Sequence, residues 1–136
     1  MGFKDISQIA GSAMAAQSVR LNTIASNLAN ADVAAGSEAE AYRARKPVFA
    51  AVMGNDNDAS TRVQVLDVVE SAEPLRRVHE PGNPKADADG MVYYTNVNEV
   101  SEMADMMSAS RAFETNVEVL SRIKSMQQSL LKLGDS

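Results

Sequence analysis

Residues 3–31 read FKDISQIAGSAMAAQSVRLNTIASNLANA, and this stretch decides the fold. Phe3, Ile6, Ala10, Ala13, Gln17, Leu21, Ile24, Leu28 and Ala31 recur every three or four residues. That is the period of a helix and not of a strand. No proline interrupts the run, and Gly11 costs it about 1 kcal/mol relative to alanine. Between Ile6 and Ala31 the only charged residue is Arg20. A free surface helix carries a charged outer face, and a membrane helix would not carry Gln8, Gln17, Asn22, Asn27 and Asn30. Ala10, Gly11, Ser12, Ala13, Ala15 and Ala16 are small enough to let neighbours approach closely. Such a helix is expected to be pressed on several sides and to fold fully only when neighbours cover it. An ordinary alanine-rich amphipathic helix is the alternative.

The other end of the chain is also helical. From Asn98 to Leu133 there is neither Gly nor Pro. Val100, Met103, Met107, Phe113, Val117, Leu120, Ile123 and Leu130 form the apolar series, with Ser110 and Gln127 filling its gaps. A helix of that length runs roughly 50 Å, more than the width of a compact domain of this size, roughly 35 Å. Acidic residues (Glu99, Glu102, Asp105, Glu114, Glu118) come early and basic ones (Arg122, Lys124, Lys132) late, which suits the helix dipole. Gly134 is a natural stop. The simplest partner for this seam is the first helix, giving a mainly α fold whose terminal helices pack as a coiled-coil-like hairpin.

The period changes in the middle. Pro47–Met53 and Arg62–Glu70 read as strands, with Gly54–Ser60 a turn-rich loop between them, and Met91–Val97 as a third strand. Glu80–Gly90 is dense in Pro, Gly, Asn and Asp and reads as a fixed loop or extended arm. The organisation expected is a terminal-helix unit from residues 1–33 and 97–136, with a small β-rich or extended segment, 34–96, inserted between.

Composition narrows the function. The 136 residues carry a net charge of −5, which disfavours nucleic acid as a partner. Arg43, Arg45 and Lys46, and the pair Arg76–Arg77, read as solvated surface. Aromatic residues make up 4% and Trp is absent, so a deep pocket is not expected. Without cysteine there is no disulfide, thiolate metal site or Cys nucleophile. No cleavable secretory signal and no membrane-spanning run stands in the sequence. His79 beside Glu80 lacks a second acid or base to form a catalytic group, and reads as a loop histidine. Asp87, Asp89 and Gly90 resemble part of a calcium loop, but its first and last ligand positions fall on Lys85 and Asn96, where acids are required. No cofactor or metal is expected, and no enzyme activity. Asn22, Asn27, Asn30 and Asn116 within helices either set register between helices or face water.

Several motifs go beyond composition. Ser12-Ala13-Met14-Ala15-Ala16-Gln17, Arg20-Leu21-Asn22 and Ala25-Ser26-Asn27-Leu28-Ala29-Asn30-Ala31-Asp32 stand near the start. Tyr42-Arg43-Ala44-Arg45 with Val48-Phe49 follows, then Glu80-Pro81-Gly82-Asn83-Pro84 with Ala86-Asp87 and Gly90. Asn96-Val97, Glu102-Met103, Ser108-Ala109-Ser110-Arg111, Asn116-Val117 and Lys124-Ser125-Met126 complete the set. Together they resemble the bacterial flagellar rod and hook family, and within it the proximal rod proteins of the basal body. Met91 stands where that pattern has an aromatic, and residues 36–40 match it loosely.

The resemblance implies a structural subunit whose terminal helices polymerise into an axial tube, with the middle segment outside. Its partners would be copies of itself, other rod proteins, the base of the membrane-ring complex and the flagellar type III export apparatus. The rod would span the periplasm and transmit torque, and export would proceed without signal cleavage or membrane insertion. Gln17, Arg20, Leu21, Asn22, Ile24, Asn27, Leu28 and Asn30 would pack subunits through the first helix. Met103, Met107, Arg111, Phe113, Asn116, Val117 and Leu120 would do so through the last, with Pro81, Gly82, Asn83, Pro84 and Asp87 as a loop motif. A secreted coiled-coil binding module or chaperone-like protein is the rival reading.

Overall fold

The computed structural model describes residues 2–54 and 60–135. Helix α1 spans Phe3–Ala29 and α2 spans Glu99–Gly134. Between them lie β1 (Arg45–Met53), β2 (Thr61–Glu70), β3 (Arg76–His79) and β4 (Met91–Tyr94). The helix starts are set locally. The Gly2 amide donates to Asp5 Oδ2 at 2.9 Å, and the Asn98 side chain accepts from the Ser101 amide at 3.1 Å, each satisfying a backbone donor that a helix start leaves unpaired. Gly134 is still helical, and α2 ends against Asp135, not at the glycine.

The two helices pack on each other and run antiparallel. Arg20 reaches Asp105 at 3.5 Å, while Phe3 borders the same hollow as Gln127, Leu130 and Leu131. The face of α2 turned inward coincides with the expected apolar series only at Phe113, Leu120 and Ile123. Glu102, Met106, Ala109, Phe113, Asn116, Leu120 and Ile123 are buried or half-buried at alternating steps of four and three. Val100, Met103, Met107 and Val117 stand outside. The helix therefore carries two stripes, rotated by about one residue, and only one of them meets α1.

The strands form two antiparallel pairs, β1 with β2 and β3 with β4. In the first, the register shifts between Val48 and Phe49, so that Val48 faces Asp67, Phe49 faces Val65, and Leu66 is skipped. This bulged hairpin lies along α1, with Val63 donating its amide to Ser12 Oγ at 3.1 Å and Arg62 donating to Gln8 at 2.7 Å. Of the loop expected at Gly54–Ser60, residues 55–59 lie outside the described residues; its ends meet through Gly54 N–H and Ser60 C=O at 2.9 Å. Strand β3 was not anticipated, because RRVH is short and largely charged, and it turns His79 from a loop residue into a strand residue. Arg76 and Arg77 lie over the rings of Tyr94 and Tyr93, at 4.6 and 5.7 Å from their centroids, so the aromatic strand supplies what the basic one lacks. The third expected strand is shorter than Met91–Val97, ending at Tyr94.

The interior is thin. Buried apolar residues among those described are Ala10, Ala16, Ala31, Ala35, Ala44 and Ala109, with only Ile24, Val92 and Ile123 larger. Alanine contributes little apolar area, so this core stabilises the lone chain modestly. No helix among the described residues is long and apolar enough to cross a membrane.

Candidate assembly interface

The base of the middle segment is fastened to α1 at a polar node. Asn27 is 1% exposed. Its Nδ2 donates to the Arg45 carbonyl at 2.9 Å, and its Oδ1 accepts from the Arg45 amide at 3.0 Å. Tyr42 donates its hydroxyl to the same Oδ1 at 2.8 Å, and its oxygen lies 2.9 Å from Ser26 Oγ. A helix side chain thus takes the place of a neighbouring strand for the first residue of β1. Asn96 extends the node: its Oδ1 accepts from the Ala44 amide at 2.7 Å, and its Nδ2 donates to the Glu73 carbonyl at 2.9 Å. The amides of Asn27 and Asn96 hold the chain to itself.

The other residues expected in packing divide between the inside and the outside. On α1, Ile24 is buried, Gln17, Leu21 and Leu28 are half-buried, and Asn30 donates to the Ser26 carbonyl at 2.8 Å. Arg20 is held by Asp105 and, at 3.4 Å, by Gln17. Asn22 is exposed, and it shares its face with Ala15, Ser18, Ala25 and Ala29. That outer face is small and uncharged throughout. Of the small residues expected to admit neighbours, Ala10 and Ala16 are used up inside the chain. On α2, Met103, Met107, Arg111 and Val117 are exposed, whereas Phe113, Asn116 and Leu120 turn partly toward α1, Asn116 donating to the Ala112 carbonyl at 2.8 Å.

Glu102 is 6% exposed and sits in the seam between the helices. It borders, with Arg20, Arg45, Lys46 and Asp105, a cavity of about 150 Å³. Among the described residues its carboxylate makes no hydrogen bond or ion pair.

The loop motif is a turn built on two side chains. Asn83 donates to Glu80 Oε2 at 3.0 Å and accepts from the Lys85 amide at 2.9 Å. Asp87 Oδ1 accepts from the amides of Asp89 and Met91 at 2.9 and 2.8 Å. Asp87 thus shapes the turn through its side chain. Pro81, Gly82 and Pro84 are exposed at the surface. Glu80 also accepts the Tyr94 hydroxyl at 2.9 Å. The Asn83 and Tyr94 hydrogen bonds hold the Glu80 carboxyl below the usual carboxylate range, and Glu80 in turn raises the Tyr94 hydroxyl above its ordinary value. The Glu80–Tyr94 pair and the role of Asn96 are not among the sequence expectations; an acid preceding a Pro-Gly turn is a signal for the first, and nothing local signals the second, whose partners Ala44 and Glu73 lie far off in sequence.

Two long terminal helices, each with a face its own chain leaves uncovered, joined through strands strapped to the first, describe a fold suited to assembly with neighbouring molecules. The family model described as Flagella basal body rod protein matches residues 8–35, and that described as Flagellar basal body rod FlgEFG protein C-terminal matches residues 88–133. The chain is 50% identical to the flagellar basal-body rod protein FlgC of Salmonella typhimurium and 51% identical to that of Escherichia coli O6:H1, in each case over 98% of this chain and 99% of the relative. The protein of the same description from Yersinia enterocolitica is 44% identical over the same shares. The chain belongs to the FlgC family of flagellar basal-body rod proteins.

Proposed function

We propose that the chain is a proximal rod subunit that polymerises through its terminal helices into an axial tube. It is a structural protein and not an enzyme, as its relatives are. In this reading α1 and α2 form a coiled-coil-like hairpin, residues 1–33 with 97–136, which builds the wall, while residues 34–96 lie outside it. The four-and-three alternation of the α2 residues facing α1 supports the hairpin. The observation that carries the assembly is the pair of uncovered faces: Ala15, Ser18, Asn22, Ala25 and Ala29 on α1, and Val100, Met103, Met107 and Val117 on α2. A small uncharged face admits a neighbouring backbone, and an apolar stripe in water is stabilised by being covered. Ile24, Asn27 and the half-buried residues hold the subunit together; Asn22, Met103, Met107, Arg111 and Val117 meet neighbours.

The neighbours are copies of the chain and other rod proteins, with the base of the membrane-ring complex below. The subunit reaches the periplasm-spanning rod through the flagellar type III export apparatus, without a cleaved signal peptide. The finished rod carries motor torque outward. Deleting the gene tests this: cells should lose hooks and swimming, and recover both with the gene supplied in trans. Hooks and swimming that persist in the deletion would overturn it.

A further inference from the structure

The space between α1, α2 and the start of β1 is bordered by an acid and a base that lack partners among the described residues. Glu102 of α2 is 6% exposed. It lines a cavity of about 150 Å³ whose wall includes Arg20 of α1, Arg45 and Lys46 of β1, and Asp105 of α2. A carboxylate is costly to take out of water unless a cation meets it. Three of the four charged neighbours are already committed. Arg20 is held by Asp105 at 3.5 Å and by Gln17 at 3.4 Å, which occupies Asp105 as well. Arg45 is fixed through its backbone by Asn27, and its guanidinium lies 5.4 Å from the centre of the Tyr42 ring. Lys46 is exposed. Among the described residues, neither it nor Glu102 has a hydrogen bond or an ion pair.

We infer that the Lys46 ammonium swings into this cavity and closes on Glu102, forming a latch within the chain between β1 and α2. Among the described residues β1 packs on α1 and β2 but not on α2, so the latch ties together two elements that otherwise meet only through α1. The space is sufficient. A water's share of liquid volume is about 30 Å³, and an ammonium is of similar size, so the cavity admits the end of the lysine stem. That stem is flexible and apolar, and it can line the wall while its charged head reaches the acid. Closing shuts water out, and a charge pair away from water attracts more strongly than one at an open surface. With the latch closed, the base of the hairpin cannot shift on the helix pair without breaking a buried ion pair.

NMR of lysine side-chain ammonium groups in the purified full-length chain tests this. An ammonium open to water exchanges its protons too fast to be seen near neutral pH, whereas one sealed in an ion pair is visible. The spectrum should contain a signal that vanishes in Lys46→Met and in Glu102→Gln and persists in Asp105→Asn. In urea unfolding, Lys46→Met should raise the unfolding constant roughly tenfold in the parent chain, and less than about twofold when Glu102→Gln is already present. A missing Lys46 signal, a Lys46 signal that survives Glu102→Gln or depends on Asp105 instead, or equal effects of Lys46→Met in the two backgrounds would each overturn the latch. If Glu102→Gln does not fold, nuclear Overhauser contacts between the Lys46 ε-methylene and the Glu102 γ-methylene in the parent chain decide. Their presence supports the latch, and their absence removes it.

Discussion

Asn27 and Arg45 are joined by two hydrogen bonds that close a ring between a helix side chain and a strand backbone, at 2.9 and 3.0 Å. With the Tyr42 hydroxyl at 2.8 Å, three bonds converge on one buried amide. Asn27→Ala should lower the stability of the isolated chain by about 3 kcal/mol, because paired groups are left unmatched in the interior. Tyr42→Phe removes one bond and should cost about 1 kcal/mol. Urea unfolding followed by circular dichroism measures both; equal effects of the two variants would contradict the node.

The outer face of α1 makes the opposite prediction. Ala25→Lys and Ser18→Lys alter exposed positions, and should change the stability of the lone chain by no more than about 0.5 kcal/mol. In cells they should abolish swimming, since a lysine cannot be buried against a neighbour without a partner. Normal swimming with normal protein levels would show that this face stays open in the rod.

The Glu80 turn should respond to pH with a definite sign. Its carboxyl is depressed first by Asn83 and then by Tyr94, so its contribution to stability is present above the ordinary carboxylate range and is lost as pH falls through the depressed value. The Tyr94 hydroxyl is raised by Glu80, so its contribution holds below the ordinary tyrosine value and is lost as pH climbs through the raised one. Asn83→Ala should return the Glu80 titration upward further than Tyr94→Phe does. Carbon-detected NMR of the side-chain carboxyl reads this directly, and the reverse order would refute the assignment.

Gly90 has φ +75°, and a Cβ there would lie 3.0 Å from His79 Cε1 and 3.1 Å from Pro81 Cβ. Gly90→Ala should therefore destabilise the chain by about 1–2 kcal/mol, combining backbone strain with a crowded turn. Gly82→Ala, which meets open space, is the control and should be close to neutral in thermal unfolding.

The thin, alanine-rich interior predicts uneven protection. In the isolated chain, amides around Thr23–Asn27 should exchange with solvent more slowly than those of the first three turns of α1, where Ala10 is the one buried residue. Assembly should protect both. Uniformly slow exchange along α1 in the monomer would show that it needs no neighbours.

Both helices were legible because a period of three to four over more than twenty-five residues has no competing explanation. The strands in the middle were legible from their β-branched residues, except β3, whose two arginines are stabilised by rings on β4 that lie far off in sequence. The inner seam of α2 was misread for a physical reason. A helix serving two partners carries two stripes, and the more apolar one, through Val100, Met103 and Met107, faces away from its own chain while Glu102 faces in. Hydropathy alone selects the stripe that the chain leaves uncovered. Asn27 could be singled out as costly within a helix, but its partner at Arg45 depends on how the chain returns, which no local pattern encodes.

The β1–β2 hairpin is strapped to α1 at two places, at its base through Asn27 and toward its tip through Ser12 and Gln8. Gln8 and Asn27 are about 28 Å apart along the helix. To bow over that span, α1 would have to slide against a second member fastened at both ends. The hairpin is thus a splint, and it gives a slender subunit flexural stiffness that a bare pair of alanine-lined helices would lack.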